Sequence, residues 1–109
     1  MPDKVNLILN DYKSTIEEIL GTHLVRIVLY GSYARGDFNQ NSDIDIMILA
    51  NVPQEEISSY ADKIYDMTYD YEMRYGIEIN PSVQSNTTYN QWKKVYPFFI
   101  NIEKDGVAV

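Results

Sequence analysis

Two short apolar runs joined by a polar, glycine-containing loop constrain the fold of this chain more than any other feature. The first run, Leu24–Tyr30, is rich in β-branched residues and has the length of a buried strand. The apolar pattern breaks at Gly31 and Ser32, and polar residues follow. A second run then begins with Asp43 and Asp45 and continues through four apolar residues. The pattern predicts two strands joined by a turn and a loop.

Asp43 and Asp45 are predicted to lie on the same side of the second strand, because side chains alternate between the two faces of a strand. Two like charges at the start of an apolar strand repel each other and are costly to desolvate. A cation between them removes that cost. The chain has no cysteine and one distant histidine, His23, so the ligands are oxygens, which favour Mg²⁺ or Mn²⁺.

The Gly31-Ser32 turn predicts a second half of the site. A strand that turns into a short helix leaves backbone N–H groups free to bind phosphate oxygens. Gly31 allows close approach of a ligand, Ser32 offers a hydroxyl group, and Arg35 lies one helical turn further on. A phosphate site that faces two carboxylates has the components for metal-assisted transfer from a nucleoside triphosphate.

These residues together resemble a known signature. Gly31-Ser32, ten intervening residues and then Asp43-Ile44-Asp45, within GSYARGDFNQNSDIDIMIL, resemble the DNA polymerase β-like nucleotidyltransferase superfamily and its minimal (MNT-domain) members. That resemblance implies a third carboxylate on a later strand between apolar residues, and Glu78 fits this description. It also implies the polymerase β-like fold for most of the chain.

The remaining sequence predicts one small α/β (α+β) domain over residues 1–109, with a central mixed sheet flanked by helices. A chain of 109 residues can bury about two-thirds of its unfolded surface as one domain. Pro81 suggests that the third strand lies at an edge of the sheet. Pro97 is interpreted as the end of the last predicted helix. The predicted elements are a helix over residues 3–20, strands over 24–30 and 43–49, a helix over 53–75, a strand over 77–83 and a helix over 86–96.

Charge and hydropathy exclude several classes of function. The net charge of −7 and the nine Lys and Arg residues argue against direct binding of nucleic acid. No apolar run reaches the ~20 residues of a membrane span, and the N-terminus does not have the pattern of a signal peptide. We therefore expect a cytoplasmic protein without a membrane partner.

The resemblance implies a catalytic role for three residues and a nucleotide-binding role for three more. Asp43, Asp45 and Glu78 are expected to bind one or two Mg²⁺ (or Mn²⁺) ions, and Glu78 also to help deprotonate the acceptor. Gly31 and Ser32 are expected to hold the triphosphate, assisted by Arg35. The implied reaction moves AMP from ATP to a hydroxyl group. Minimal members pair with helical HEPN-type toxins, so the resemblance implies an antitoxin whose acceptor is a tyrosine of its partner.

Two alternatives stay open at this stage. Glu78 has a simpler interpretation as an exposed residue on the solvent face of an edge strand. The whole chain has an alternative function as a non-catalytic antitoxin that neutralises its partner by complex formation, and its ten tyrosines and acidic charge suit that role. The sequence leaves open the nucleotide base, the acceptor and whether the chain forms a homo-oligomer.

Overall fold

The computed structural model describes residues 2–109 and contains a central mixed sheet, as the sequence predicts, with four strands rather than the three predicted. The strands are β1 (Leu24–Tyr30), β2 (Ile44–Ala50), β3 (Ile79–Ser85) and β4 (Val107–Ala108). Their order in the sheet is β3-β2-β1-β4. β1 is antiparallel to both of its neighbours, and β2 is parallel to β3.

Helices cover both faces of this sheet. Short 3₁₀ turns precede β1 and the second long helix. The helices are α1 (Asp3–Leu20), α2 (Ser32–Arg35), α3 (Ile57–Tyr75), α4 (Asn86–Trp92) and α5 (Pro97–Asp105). None of the helices described for residues 2–109 combines the length and the hydropathy that crossing a membrane requires.

The two faces of the sheet have cores of different size. α1 and α3 pack on the larger core, which takes the alternate β2 residues Ile44, Ile46 and Ile48. α4 and α5 pack on the smaller core, which takes Met47 and Leu49 together with Tyr89, Phe99 and Ile102. β2 is therefore apolar on both faces except at its start. Asp45 shares the smaller-core face with Met47 and Leu49, because strand side chains alternate.

The bounds of several elements differ from the sequence prediction: α3 begins at Ile57 rather than at residue 53, and α4 ends at Trp92 rather than at residue 96. β3 begins at Ile79, two residues later than predicted, although it does lie at an edge of the sheet. Pro97 is the first residue of α5 rather than the end of a helix, since a proline fits the first turn, where its missing N–H has no helical partner. The two-residue β4 was not predicted; its backbone pairs with β1 at Val28 and Leu29.

Candidate active site

The turn after β1 brings the backbone unusually close to Asp45. Gly31 has φ +78°, a conformation that disfavours any residue with a Cβ atom. A Cβ atom at this position would also collide with the Asp45 carboxylate. α2 begins at the next residue, Ser32. Glycine is therefore required here both by the backbone conformation and by the adjacent carboxylate.

Asp43 and Asp45 flank a residue that fixes their position. Ile44 is fully buried, and its N–H donates to the carbonyl of Glu78 at 2.9 Å. The chain entering β2 is thus tied to the chain entering β3. Asp45 pairs with Tyr30 of β1 in register. Burial, and then the charge of Asp45, raise the pKa of Tyr30 to about 12.

Glu78 lies immediately before β3, beside Asp43. A hydrogen bond with the Asp43 carboxyl group, followed by repulsion from its charge, raises the pKa of Glu78 above its ordinary value. The next residue, Ile79, donates its N–H to the Glu72 carboxylate at 3.0 Å, which anchors the start of the strand to α3. Glu78 itself is exposed.

Asn80 is a member of this group that the sequence reasoning missed as a site residue. The parallel register places Asn80 beside Asp45. Its Nδ2 lies 3.2 Å from Asp45 Oδ1 and 3.4 Å from Asp43 Oδ2. The signal available in the sequence was the alternation of a strand, which places Asn80 two residues from Glu78 on the same side. The register of β3 against β2, which brings Asn80 next to Asp45, cannot be predicted from a local pattern.

A cavity of about 600 Å³ opens in front of the two aspartates. It contains five of the six predicted site residues; Glu78 is not in its lining. Arg35 lines the cavity and forms an exposed ion pair with Asp37, Nε to Oδ2 at 3.2 Å. The lining residues are Tyr30, Gly31, Ser32, Arg35, Asn39, Asn41, Ser42, Asp43, Asp45, Phe98 and Asn101.

A second cavity of about 610 Å³ adjoins the first and is mostly apolar. Phe98 lines both cavities and packs edge-on against Tyr30, with ring centroids 5.5 Å apart. Its other lining residues are Gln84, Thr88, Trp92, Tyr96 and Phe99. Phe98 therefore lies between the cavity at the aspartates and an aromatic cavity on the α4–α5 side of the sheet.

The carboxylates fit a magnesium ion that takes its remaining ligands from outside the protein. Within residues 2–109, no three acidic, histidine or cysteine side chains lie close enough together to hold one metal ion by themselves. Asp43 and Asp45 provide two oxygen ligands beside a cavity. Mg²⁺ is commonly bound in this way, by one or two carboxylates together with substrate phosphates and water.

Comparison with known proteins identifies the family of the chain. Residues 9–99 match the model of the nucleotidyltransferase domain family. Two Methanocaldococcus jannaschii proteins are each 33% identical to the chain. "Putative protein adenylyltransferase MJ0141" aligns over 94% of this chain and 95% of its own length, and "Putative protein adenylyltransferase MJ0604" over 94% and 86%.

Solved structures share the fold at lower identity. A mutant of the toxin–antitoxin MntA-HpeT is 17% identical, with a TM-score of 0.55 over 92% of this chain and 70% of that one. A "putative minimal nucleotidyltransferase" is 15% identical, with a TM-score of 0.52 over 93% and 95%. The fold of those proteins, the matched family model and the two archaeal relatives agree. The chain belongs to the nucleotidyltransferase domain family.

Proposed function

We propose that residues 1–109 act as one protein adenylyltransferase domain, which transfers AMP from ATP to a hydroxyl group of a partner protein. The observation that carries the proposal is the convergence of Asp43, Asp45 and the Gly31-Ser32 turn on one cavity. The two archaeal relatives carry the name of this activity, which supports the choice of AMP and of a protein acceptor.

The two aspartates hold the metal in this proposal. Asp43 and Asp45 project from the start of β2 on one side, and Gly31 leaves room for the Asp45 carboxylate. When bound there, Mg²⁺ (or Mn²⁺) would neutralise charge on the triphosphate and help to orient the α-phosphate for in-line attack. Glu78, beside Asp43, is proposed as a further ligand that joins the site when the metal and the triphosphate bind, since the three carboxylates of the metal-free protein do not lie close enough together to hold one ion.

The transfer step forms one bond and breaks one. The acceptor oxygen attacks the α-phosphorus of ATP, and the bond from that phosphorus to the bridging oxygen of pyrophosphate breaks. The proton of the acceptor hydroxyl group passes to the carboxylate of Glu78, and pyrophosphate leaves with the electron pair. A positioned carboxylate contributes ~100-fold or more to such a step.

Gly31 and Ser32 are proposed to hold the triphosphate. Both line the cavity, and Gly31 presents backbone without a side chain toward Asp45. Arg35 lines the same cavity and is proposed to assist after exchanging its exposed pair with Asp37 for a phosphate oxygen. Surface ion pairs of this kind contribute little stability, so the exchange costs little.

The proposed acceptor is a tyrosine of a HEPN-type toxin, with this chain as the cytoplasmic antitoxin. Support comes from the shared fold with the MntA-HpeT toxin–antitoxin. A second candidate is neutralisation by contact alone. Exposed Trp92 and Tyr96, close to the polar cavity, favour it, because aromatic side chains are enriched at protein interfaces.

Intact-mass spectrometry of the toxin separates the two candidates. We expect a mass increase of one AMP after incubation with wild-type protein and Mg–ATP, and none with the Asp43→Asn/Asp45→Asn double variant. The matched control is Asp62→Asn/Asp66→Asn, which makes the same charge change on the exposed face of α3. An unmodified toxin that both the wild type and the double site variant inhibit equally would replace catalysis with contact neutralisation.

A further inference from the structure

Asn80 stands between the two aspartates of the proposed site. Its amide nitrogen is within 3.4 Å of both carboxylates, and a single side chain thus donates to Asp43 and Asp45 together. The contact is set by the sheet, because β2 and β3 are parallel and pair Asp45 with Asn80. Ile79, the residue before it, is buried and anchored to Glu72, so the start of β3 is held firmly.

A neutral amide at this position has a particular electrostatic effect. The amide donates two hydrogens, so it can hold both carboxylates at a fixed spacing. It carries no charge, so it leaves the negative charge of the two aspartates available to a cation. An aspartate at the same position would add one more oxygen ligand and one more negative charge, which together increase the affinity for a divalent cation.

We propose that Asn80 is the positioning residue of the metal site. Asn80 holds the carboxylates of Asp43 and Asp45 ready for a cation in the metal-free protein. Its lack of charge keeps the affinity for the metal alone low, so that the metal binds together with the triphosphate. This inference rests on the proposed function, since it assumes that Asp43 and Asp45 are the metal ligands.

Two substitutions separate the two effects of Asn80. Asn80→Ala removes the donor without adding charge. We expect it to weaken Mn²⁺–ATP binding by ~10-fold or more, as for residues that orient metal ligands. It should raise the metal concentration needed for half-maximal transfer more than it lowers the rate at saturation. Asn80→Asp adds a ligand, and we expect it to bind Mn²⁺ without nucleotide ~10-fold or more tightly than the wild type.

Gln84→Glu is the matched control for Asn80→Asp. Gln84 lies four residues along β3 on the same face, lines the aromatic cavity and is remote from the aspartates in register. It makes the same change from amide to acid and adds the same charge. We expect its Mn²⁺ affinity to equal that of the wild type within about two-fold, as expected of a surface charge that does not touch the metal.

The test is a titration of Mn²⁺, alone and with ATP, into wild type, Asn80→Ala, Asn80→Asp, Gln84→Glu and Asp45→Asn, with thermal unfolding of each metal-free variant. Both expected shifts at Asn80, with Gln84→Glu unchanged, support the inference. The inference is overturned if Asn80→Ala binds Mn²⁺ and Mn²⁺–ATP as the wild type does and Asn80→Asp behaves like Gln84→Glu. If Asn80→Asp does not fold, the result for Asn80→Ala alone decides.

Asp45→Asn tests the proposed function separately. If this variant binds Mn²⁺–ATP as the wild type does, Asp45 is not a metal ligand, and the role proposed for Asn80 fails with that assignment.

Discussion

Two groups of carboxylates in this protein are surrounded very differently. Asp11 on α1 receives hydrogen bonds from three side chains of α3: Tyr75 Oη at 2.7 Å, Tyr71 Oη at 3.1 Å and Arg74 Nη1 at 3.5 Å. Asp43 and Asp45 share the amide of Asn80 at 3.4 and 3.2 Å. Asp11 thus has three side-chain donors, whereas Asp43 and Asp45 share one amide donor, and Asp43 also lies beside a third acid, Glu78.

The difference separates an acid that stabilises the fold from acids that are available for a ligand. Asp11 joins α1 to α3 through two tyrosine hydroxyl groups and the guanidinium of Arg74, whose positive charge offsets that of the carboxylate. The pair at the start of β2 keeps an excess of negative charge next to a cavity. Since uncompensated like charges destabilise a folded chain, such a pair is typical of a site that a cation completes.

The largest expected effect in this comparison belongs to Asp45→Asn. We expect Mg–ATP affinity to fall by more than ~100-fold, beyond the range for residues that only orient metal ligands. The metal-free variant should unfold at a temperature equal to or above that of wild type, because one of two like charges is gone. Isothermal titration and thermal unfolding measure the two effects. Asp45→Asn with wild-type Mg–ATP affinity would place it with Asp11 as a structural acid.

Glu78→Gln is the next largest. The proposed proton transfer to Glu78 predicts a transfer rate at saturating ATP that is ~100-fold lower, with ATP affinity within a few-fold of wild type. The control is Glu72→Gln, which keeps an acceptor for the Ile79 N–H and alters the neighbouring acid. Single-turnover kinetics separate the rate from the affinity. A wild-type rate in Glu78→Gln would mean that Glu78 is an exposed residue beside an edge strand without a part in the transfer step.

Asp11→Ala has a smaller effect, and on stability rather than on binding. The substitution leaves the hydroxyl groups of Tyr71 and Tyr75 without one acceptor. Because the Asp11 side chain is 41% exposed, we expect a loss of about 1–2 kcal/mol in the free energy of unfolding. Urea unfolding measures it, with Glu18→Ala as the control at an exposed position of the same helix. A weakened Mg–ATP affinity in Asp11→Ala would contradict the division between the two groups.

The sequence predicted the elements that carry this division better than it predicted the contacts between them. Strand alternation was enough to place Asp43 and Asp45 on one side, and the Gly31-Ser32 turn was visible as a break in the apolar run. The role of Asn80 depends on pairing with a strand that is 35 residues away along the chain. Pairing at that distance is fixed by tertiary packing, which a local pattern does not record.

Two elements at the C-terminal end were missed for a different reason. Pro97 fits both a helix break and the first turn of a helix, and the local sequence does not decide between them. The helix that follows it, α5, contributes Phe99 and Ile102 to the smaller core. β4 has only two residues, too few for any period to be recognised. The wall of the polar cavity that Phe98 and Asn101 form was therefore absent from the sequence prediction.

The smallest expected effect concerns the free energy of unfolding, to which two glutamates contribute with opposite dependence on pH. Both have the same ordinary pKa of 4.5, but a hydrogen bond with Asp43 raises the pKa of Glu78 in the folded protein, whereas a hydrogen bond from Tyr89 lowers the pKa of Glu103. The folded state therefore binds the proton of Glu78 more tightly than the unfolded state does. The contribution of Glu78 to the free energy of unfolding is therefore largest below the pKa that Glu78 has in the unfolded chain. This contribution is lost as the pH rises through the higher pKa of the folded protein.

For Glu103 the sign reverses. Its stabilisation is present above the unfolded pKa and is lost as the pH falls through the lower, folded pKa. We therefore expect metal-free Glu78→Gln to lose less stability than the wild type as the pH rises from 4.5, and Glu103→Gln to lose less as the pH falls below it. Urea unfolding across this range, in dilute protein because the isoelectric point is also about 4.5, measures both slopes. A slope for Glu78→Gln above pH 4.5 equal to that of the wild type would mean that Asp43 does not raise the pKa of Glu78, and that the two acids at the sheet edge do not interact as a pair.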